Sequence, residues 1–269
     1  MRRSNLIFGG VLLGLVLVVG LIGAFWTPHP PVAITGAPSE GPSVLHWLGT
    51  DGSGFDIASR LMAGTRLVLL VGVVSVAGAA AVGIPAGVVA GMSRGWLSVI
   101  IARGADILYG FPALLLAILF AAALGGSAWT ALMAISLATI PAFVRIARAA
   151  TLQVMGLAYV ESARLSGTPV RQIALRHVLP NIAPVLGVQA SVSVGIAILA
   201  EAGLSYLGLA SGPDAATWGR MLQEARSQLF SAPMISLWPG LAIVVATMGC
   251  NLLGDGLRDH LDPKLRELT

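Results

Sequence analysis

Apolar residues in this chain run in long blocks with no strand-like alternation. Leu6 to Trp26 is the first block, no charge occurs between Arg66 and Arg94, residues 107–144 are uncharged, and further blocks cover Val178–Ala200 and Met234–Leu253. A helix needs about 20 predominantly apolar residues to cross the hydrocarbon core of a bilayer. Taken as one helix, the 107–144 block would be roughly 57 Å long, far more than a bilayer requires. The Gly125-Gly126-Ser127 turn divides it, predicting spans at 98–124 and 128–150. With 6–26, 65–91, 178–200 and 234–253 the pattern predicts six transmembrane helices in an all-α membrane protein. The first block is longer than the roughly 7–15 apolar residues of a signal peptide and ends in Phe25-Trp26-Thr27-Pro28, a poor cleavage site, so it is read as a retained span.

Composition changes the picture in one direction. Of 269 residues, 56% are hydrophobic and only 10% charged, too few charges to coat a water-soluble body of this size. The single cysteine, Cys250, excludes an internal disulfide framework and a cysteine zinc site. A net charge of +4 suggests nucleic acid at first sight, but the basic residues lie between apolar blocks, so no nucleic-acid partner is expected. With the N-terminus inside, cytoplasmic segments hold Arg2, Arg3, Arg94, Arg103, Arg145, Arg148, Arg164, Arg171, Arg176, Arg258, Lys264 and Arg266, which is 12 of the 16 basic residues. The outer segments hold Arg60, Arg66, Arg220 and Arg226. This bias is what the positive-inside rule expects of a multi-pass protein with both termini cytoplasmic. Within the spans, Pro85, Pro112 and Pro141 are expected to kink or interrupt helices, and Gly83, Gly87 and Gly91 share one helical face suited to close packing.

One polar segment stands apart. From Leu157 to Pro180 the chain predicts a short amphipathic helix, a left-handed cap at Gly167, and a second helix with Thr168 as N-cap and Pro169 at its first position. On physics alone this bent, charged projection suits either a snorkelling interfacial connector or a surface that receives force from another protein. Its residues add a resemblance. Glu161-Ser162-Ala163, with Gly167 six residues after the glutamate and Leu179-Pro180 closing the segment, resembles the EAA loop of ABC importer permeases. Arg164 and Arg176-His177 are similar to the form found in the dipeptide, oligopeptide and nickel permease family; Ser162 replaces the usual alanine. Leu48-Gly49-Thr50-Asp51 with Asp56-Ile57 and Ser59-Arg60-Leu61, Phe111-Pro112-Ala113, Ala200-Glu201-Ala202-Gly203 with Trp218-Gly219, and Asn251-Leu252-Leu253-Gly254-Asp255-Gly256 extend the likeness; Phe55 stands where that family commonly has arginine. The whole is most similar to the second, C-type, permease of a peptide importer.

That resemblance implies a type I ABC importer permease (MetI-like) bundle in the bacterial cytoplasmic (inner) membrane. It would divide into residues 1–64 (first helix and outer loop), a 65–257 core containing a helix-corner-helix coupling loop at 158–177, and a cytoplasmic tail at 258–269. It implies a second, B-type permease, two ATPase subunits or one fused ATPase, and an extracytoplasmic substrate-binding protein as partners. Glu161, Ser162, Ala163, Arg164, Gly167, Arg171 and His177 would engage the ATPase, while Glu201, Trp218 and Arg220 are candidates for contact with the binding protein or the outer cavity. ATP and magnesium would belong to the ATPases, with no cofactor, metal or catalytic residue on this chain. In agreement, no Gly-x-x-x-x-Gly-Lys-Ser/Thr or His-x-x-x-His motif occurs. The expected cargo is di- or oligopeptides, the alternative nickel or a metal chelate. An ion-coupled transporter acting alone is disfavoured because the spans lack ionisable residues near their midplanes.

Overall fold

The computed structural model describes residues 2–210, 212 and 215–261; Asp262, Pro263, Lys264 and Arg266 of the tail lie outside it, as do the side chains of Arg2 and Arg3. Ten α-helices and no strand occur among the described residues: α1 (Arg2–Phe25), α2 (Ile57–Met92), α3 (Trp96–Tyr109), α4 (Ala113–Leu124), α5 (Ala128–Met155), α6 (Ala158–Leu165), α7 (Val170–Ile173), α8 (Leu179–Tyr206), α9 (Trp218–Ala225) and α10 (Met234–Leu261). Five helical stretches are long and apolar enough to cross a membrane, and the α3–α4 pair makes a sixth if counted as one span.

That third span is interrupted where Pro112 is expected to kink or break it, α3 and α4 meeting at a bend of 81°. Pro112 is the cause: it has no N–H to continue α3 and becomes the residue from which α4 starts, its carbonyl accepting from Leu115 N and Leu116 N. Pro85 and Pro141, by contrast, sit inside continuous helices. Two expected boundaries also shift. Residue 64 falls within α2, which begins at Ile57 because Asp56 accepts hydrogen bonds from Ser59 N and Oγ as its N-cap, and residue 257 falls within α10.

Small residues set the helix contacts. α2 and α5 form the most extensive pair, running side by side in the same direction. A Cβ built on Gly83 would lie 2.6 Å from Phe143 Cβ, on Gly87 2.5 Å from Val144 O, and on Gly91 2.6 Å from Thr151 Cβ. The stripe is thus spent on packing within the chain. The same device brings α10 against α1, where a Cβ on Gly256 would meet Leu6 Cα at 2.7 Å, and against α8, where Gly195 faces Cys250. Without a hydrophobic drive between helices in lipid, such close backbone approach supplies the cohesion. The contact directions place the start of α1 and the ends of α2, α5 and α10 at one end of the bundle, with the 157–178 segment. The loops 26–56 and 207–233 form a cap at the opposite end.

Gly87→Leu is expected to lower the thermal stability of the detergent-solubilised protein, overpacking costing about 1–3 kcal/mol or more. Gly14→Leu, where a Cβ meets nothing within 4 Å, should leave the melting temperature unchanged and serves as the control.

Candidate functional site

The 157–178 segment folds as the predicted helix-corner-helix, and its corner is fully hydrogen-bonded. Gly167 adopts φ +77°. Its N–H donates to Arg164 O at 3.0 Å and Thr168 N–H donates to Ala163 O at 3.1 Å, the two bonds of a Schellman cap. Thr168 is consumed as the last residue of that cap, so the second helix starts one residue later than expected. Pro169 is its N-cap, with its carbonyl accepting from Gln172 N and Ile173 N. Ser162 and Ser166 turn their hydroxyls back onto Ala158 O and Ser162 O.

The second limb is not a separate surface helix. α7, one π-helical turn at Ala174–Val178 and α8 run on without a break, giving a helical rod from Val170 to Tyr206. Leu179-Pro180, which the sequence suggests as a fresh start, is absorbed by that wider turn. Proline at residue 180 supplies no donor and would crowd the carbonyl four residues back, and the longer hydrogen-bonding step relieves this. Asn181 Nδ2 donates to His177 O at 2.7 Å and to Tyr159 Oη at 2.9 Å, and the Tyr159 and His177 rings meet edge-on. The two limbs are therefore tied by Tyr159, His177 and Asn181. On the inner side Val160, Ile173 and Val178 are fully buried in the main core.

Outside, Glu161, Ser162, Arg164, Gly167 and Arg171 are exposed and Ala163 and His177 half-buried. Leu165, 86% exposed, and Val170, 68% exposed, flank the corner and place apolar surface among these charges. Sequence reasoning missed Leu165, Val170, Tyr159 and Asn181. Asn181, an amide within an apolar run directly after Leu-Pro, was the available signal.

The cap end differs from expectation. Glu201 is buried, taking a hydrogen bond from Ser205 Oγ at 2.6 Å, and Trp218 is buried with its Nε1 donating to Leu61 O. Neither presents a surface to a cavity or a binding protein; both are enclosed because α9 folds back onto α2 and α8. Arg220, partly exposed, donates to Glu224 Oε1 at 2.9 Å. Glu224 Oε2 also receives Arg60 Nη1 at 2.7 Å, and the same Arg60 nitrogen bonds Asp51, so α9, α2 and the first loop share one ionic node. The Asp51-Gly52-Ser53-Gly54 run is a turn in which Asp51 Oδ1 accepts from Ser53 N and Phe55 N. Phe55 lies beneath Arg60, the guanidinium carbon 5.0 Å from its ring centroid.

Histidines with no metal spacing in sequence also converge here. His46 Nδ1 lies 2.9 Å from Asp56 Oδ1, and the His29 and His46 rings stack at 4.7 Å. His29, His46 and Asp56 could hold an ion by proximity, their ligand atoms lying within 4.8 Å of one another. Both Asp56 oxygens, and one nitrogen of each ring, are already bonded within the protein, so the cluster acts as a clasp holding the loop to the head of α2.

Comparison with known proteins follows the same lines. Residues 83–267 match the family described as binding-protein-dependent transport system inner membrane component. The glutathione transport system permease protein GsiD of Pectobacterium atrosepticum is 44% identical over 228 residues, covering 85% of this chain and 76% of that protein. GsiD of Escherichia coli O6:K15:H31 is 38% identical over 268 residues, covering 98% of this chain and 88% of its own length. The dipeptide transport system permease protein DppC of Alkalihalophilus pseudofirmus is 41% identical, covering 84% of this chain and 75% of that protein. Among solved structures, an inward-facing MetNI methionine ABC transporter chain superposes with a TM-score of 0.63 at 17% identity, covering 78% of this chain and 96% of that chain.

Tyr159→Phe deletes only the hydroxyl that holds Asn181. A net hydrogen bond is worth about 0.5–1.5 kcal/mol, so amide exchange across residues 158–168 is expected to quicken roughly twofold to tenfold with that of α2 unchanged.

Proposed function

Because this chain belongs to the family of binding-protein-dependent transport system inner membrane components, we propose that it forms, with a second permease of B type, the pore of an ATP-driven importer of di- or oligopeptides. The observation that carries the mechanism is the elbow, with a fully capped corner, a buried inner side and a second limb continuous with α8. The elbow docks in a groove on an ATPase subunit. Leu165 and Val170 supply apolar contact, Glu161, Arg164 and Arg171 pair with charges there, and Ala163 permits close approach. His177 is half-buried and meets the Tyr159 ring edge-on. Closure of the ATPases on ATP then moves α8 as a rigid body and exchanges an outward for an inward opening. Nucleotide and magnesium reside on the ATPase chains, as two subunits or one fused, and this chain performs translocation without chemistry of its own.

The basic bias of the elbow end supports an orientation with the elbow and both termini cytoplasmic and the cap outside, toward a substrate-binding protein. The cap's cross-linked loops suit a firm platform for that protein, with Arg220 the only one of the three expected contact residues left partly exposed. Relatives named for glutathione and dipeptide transport favour peptide cargo over nickel.

Two variants test the lever. At Gly167 a side chain meets nothing within 4 Å, so substitution acts through backbone strain alone. Gly167→Val should add about 1–2 kcal/mol of left-handed strain and lower peptide uptake per ATP hydrolysed, whereas Gly167→Asn, which tolerates that conformation, should retain most of it. Equal uptake in both variants would remove the corner from the mechanism. Charge reversal by Glu161→Arg should reduce the ATPase recovered with this chain on affinity purification, with the second permease still recovered.

A further inference from the structure

The clasp at the head of α2 spends one nitrogen of each histidine and leaves the other. The Asp56 carboxylate accepts, so its 2.9 Å contact with His46 Nδ1 fixes the Nδ1–H tautomer and puts that ring's lone pair on Nε2. The Leu45 carbonyl likewise accepts from His29 Nε2 at 2.9 Å, which puts the lone pair of the second ring on Nδ1. His46 is only 1% exposed, and its Nε2 has no hydrogen-bond partner. A buried acceptor left in that state is costly, so the nitrogen calls for an explanation. It faces a small space. A Cβ built on Gly36 would lie 2.9 Å from His46 Nε2, 3.0 Å from Glu40 Oε2 and 2.9 Å from Thr50 Cγ2. The space is kept because residue 36 has no side chain. Glu40 is held beside it through its backbone, its N–H donating to Thr50 Oγ1 at 2.9 Å and its carbonyl accepting from Thr50 N at 3.0 Å.

We propose that this knot is a zinc site, with His46 Nε2, His29 Nδ1 and the Glu40 carboxylate as ligands and Asp56 as the positioning residue behind His46. The side chains are already gathered: His29, His46 and Asp56 each bring a ligand atom within 4.8 Å of the others, and the two rings stack at 4.7 Å. Two imidazole nitrogens and one carboxylate suit zinc(II), which takes four ligands and fills the fourth position with water when the protein supplies three. Calcium and magnesium require shells made of oxygen, so this donor set selects against them. A carboxylate on the far nitrogen of a ligating imidazole fixes its tautomer and orientation and raises its basicity, which is the position of Asp56. Asp56 Oδ2 meanwhile stays with Ser59 as the cap of α2. The ion therefore ties three points of the first loop, residues 29, 40 and 46, to the head of α2. Its role is structural, and no step of translocation passes through it.

The test uses the full chain in detergent, purified without a polyhistidine tag, stripped with a chelator and titrated with zinc chloride. One zinc should remain per chain after gel filtration, a large excess of magnesium should not displace it, and zinc should raise the melting temperature by about 2–4 °C or more. Cobalt(II) in its place should give the visible bands of a low-coordinate nitrogen and oxygen site. Two variants leave His46, Asp56 and the cap of α2 untouched. Gly36→Ala fills the space beside Nε2, and Glu40→Gln removes the carboxylate; each should weaken zinc binding roughly tenfold or more and abolish both the thermal shift and the cobalt bands. Glu40 is exposed, so Glu40→Gln keeps its metal-free melting temperature and decides the matter if Gly36→Ala folds poorly. No zinc retained, displacement by magnesium, or wild-type affinity in Glu40→Gln would each overturn the site, the last by placing the ion on other histidines.

Discussion

Within hydrocarbon a helix moves as a body, because each backbone group freed from its hydrogen bond finds no water to replace it. That constraint governs how this chain can work. The rod from Val170 to Tyr206 is one continuous helical unit, with a π turn just before Pro180 and Pro184 within α8. No break of more than a turn therefore separates the corner from the cap end of α8. The corner itself has no slack, since the Schellman bonds, the Val160, Ile173 and Val178 anchors and the Tyr159–Asn181 tie hold both limbs at once.

The bundle around that rod is divided by the size of its side chains. α2 and α5 approach along a glycine face too closely for any Cβ, so they behave as one block. α8 contacts that block through larger groups: a Cβ on Gly72 would meet Ile198 Cγ1 at 3.2 Å, a looser fit than along the glycine stripe. Between α5, α8 and α10 the packing opens into a polar groove. The packing is tightest along the α2–α5 glycine face and opens beside the elbow. At the far end, Arg60 joins three elements through Asp51 and Glu224; Arg60 and Asp51 are both shielded from water, so losing either partner would leave a buried charge uncompensated. By contrast, the Asp106–Arg145 pair is about half exposed and contributes little beyond orienting α3 on α5.

Much of this was legible in the chain itself. Block length located the spans, the spacing of Gly83, Gly87 and Gly91 announced a close helix contact, and Gly167 with Pro169 marked a corner, each because a local rule decides the outcome: hydrocarbon thickness, helical period, left-handed backbone. Three features depended on distant residues and were not. Arg60 read as one of four basic residues in the outer segments, yet it is buried in α2, where Asp51 and Glu224 meet it. Glu201 and Trp218 read as surface candidates, yet both are buried where α9, which begins at Trp218, packs onto α8 and α2. His29, 17 residues from His46 in sequence, stacks on it only once the first loop closes over α2. The sequence by itself determined a greasy helical bundle with a capped elbow, since those follow from composition and short-range geometry. Tertiary structure alone decided that the elbow's second limb and the fifth span are one rod, that of three prolines only Pro112 breaks its span, and that a polar groove lies beside the joint, because each depends on which helices come to lie side by side.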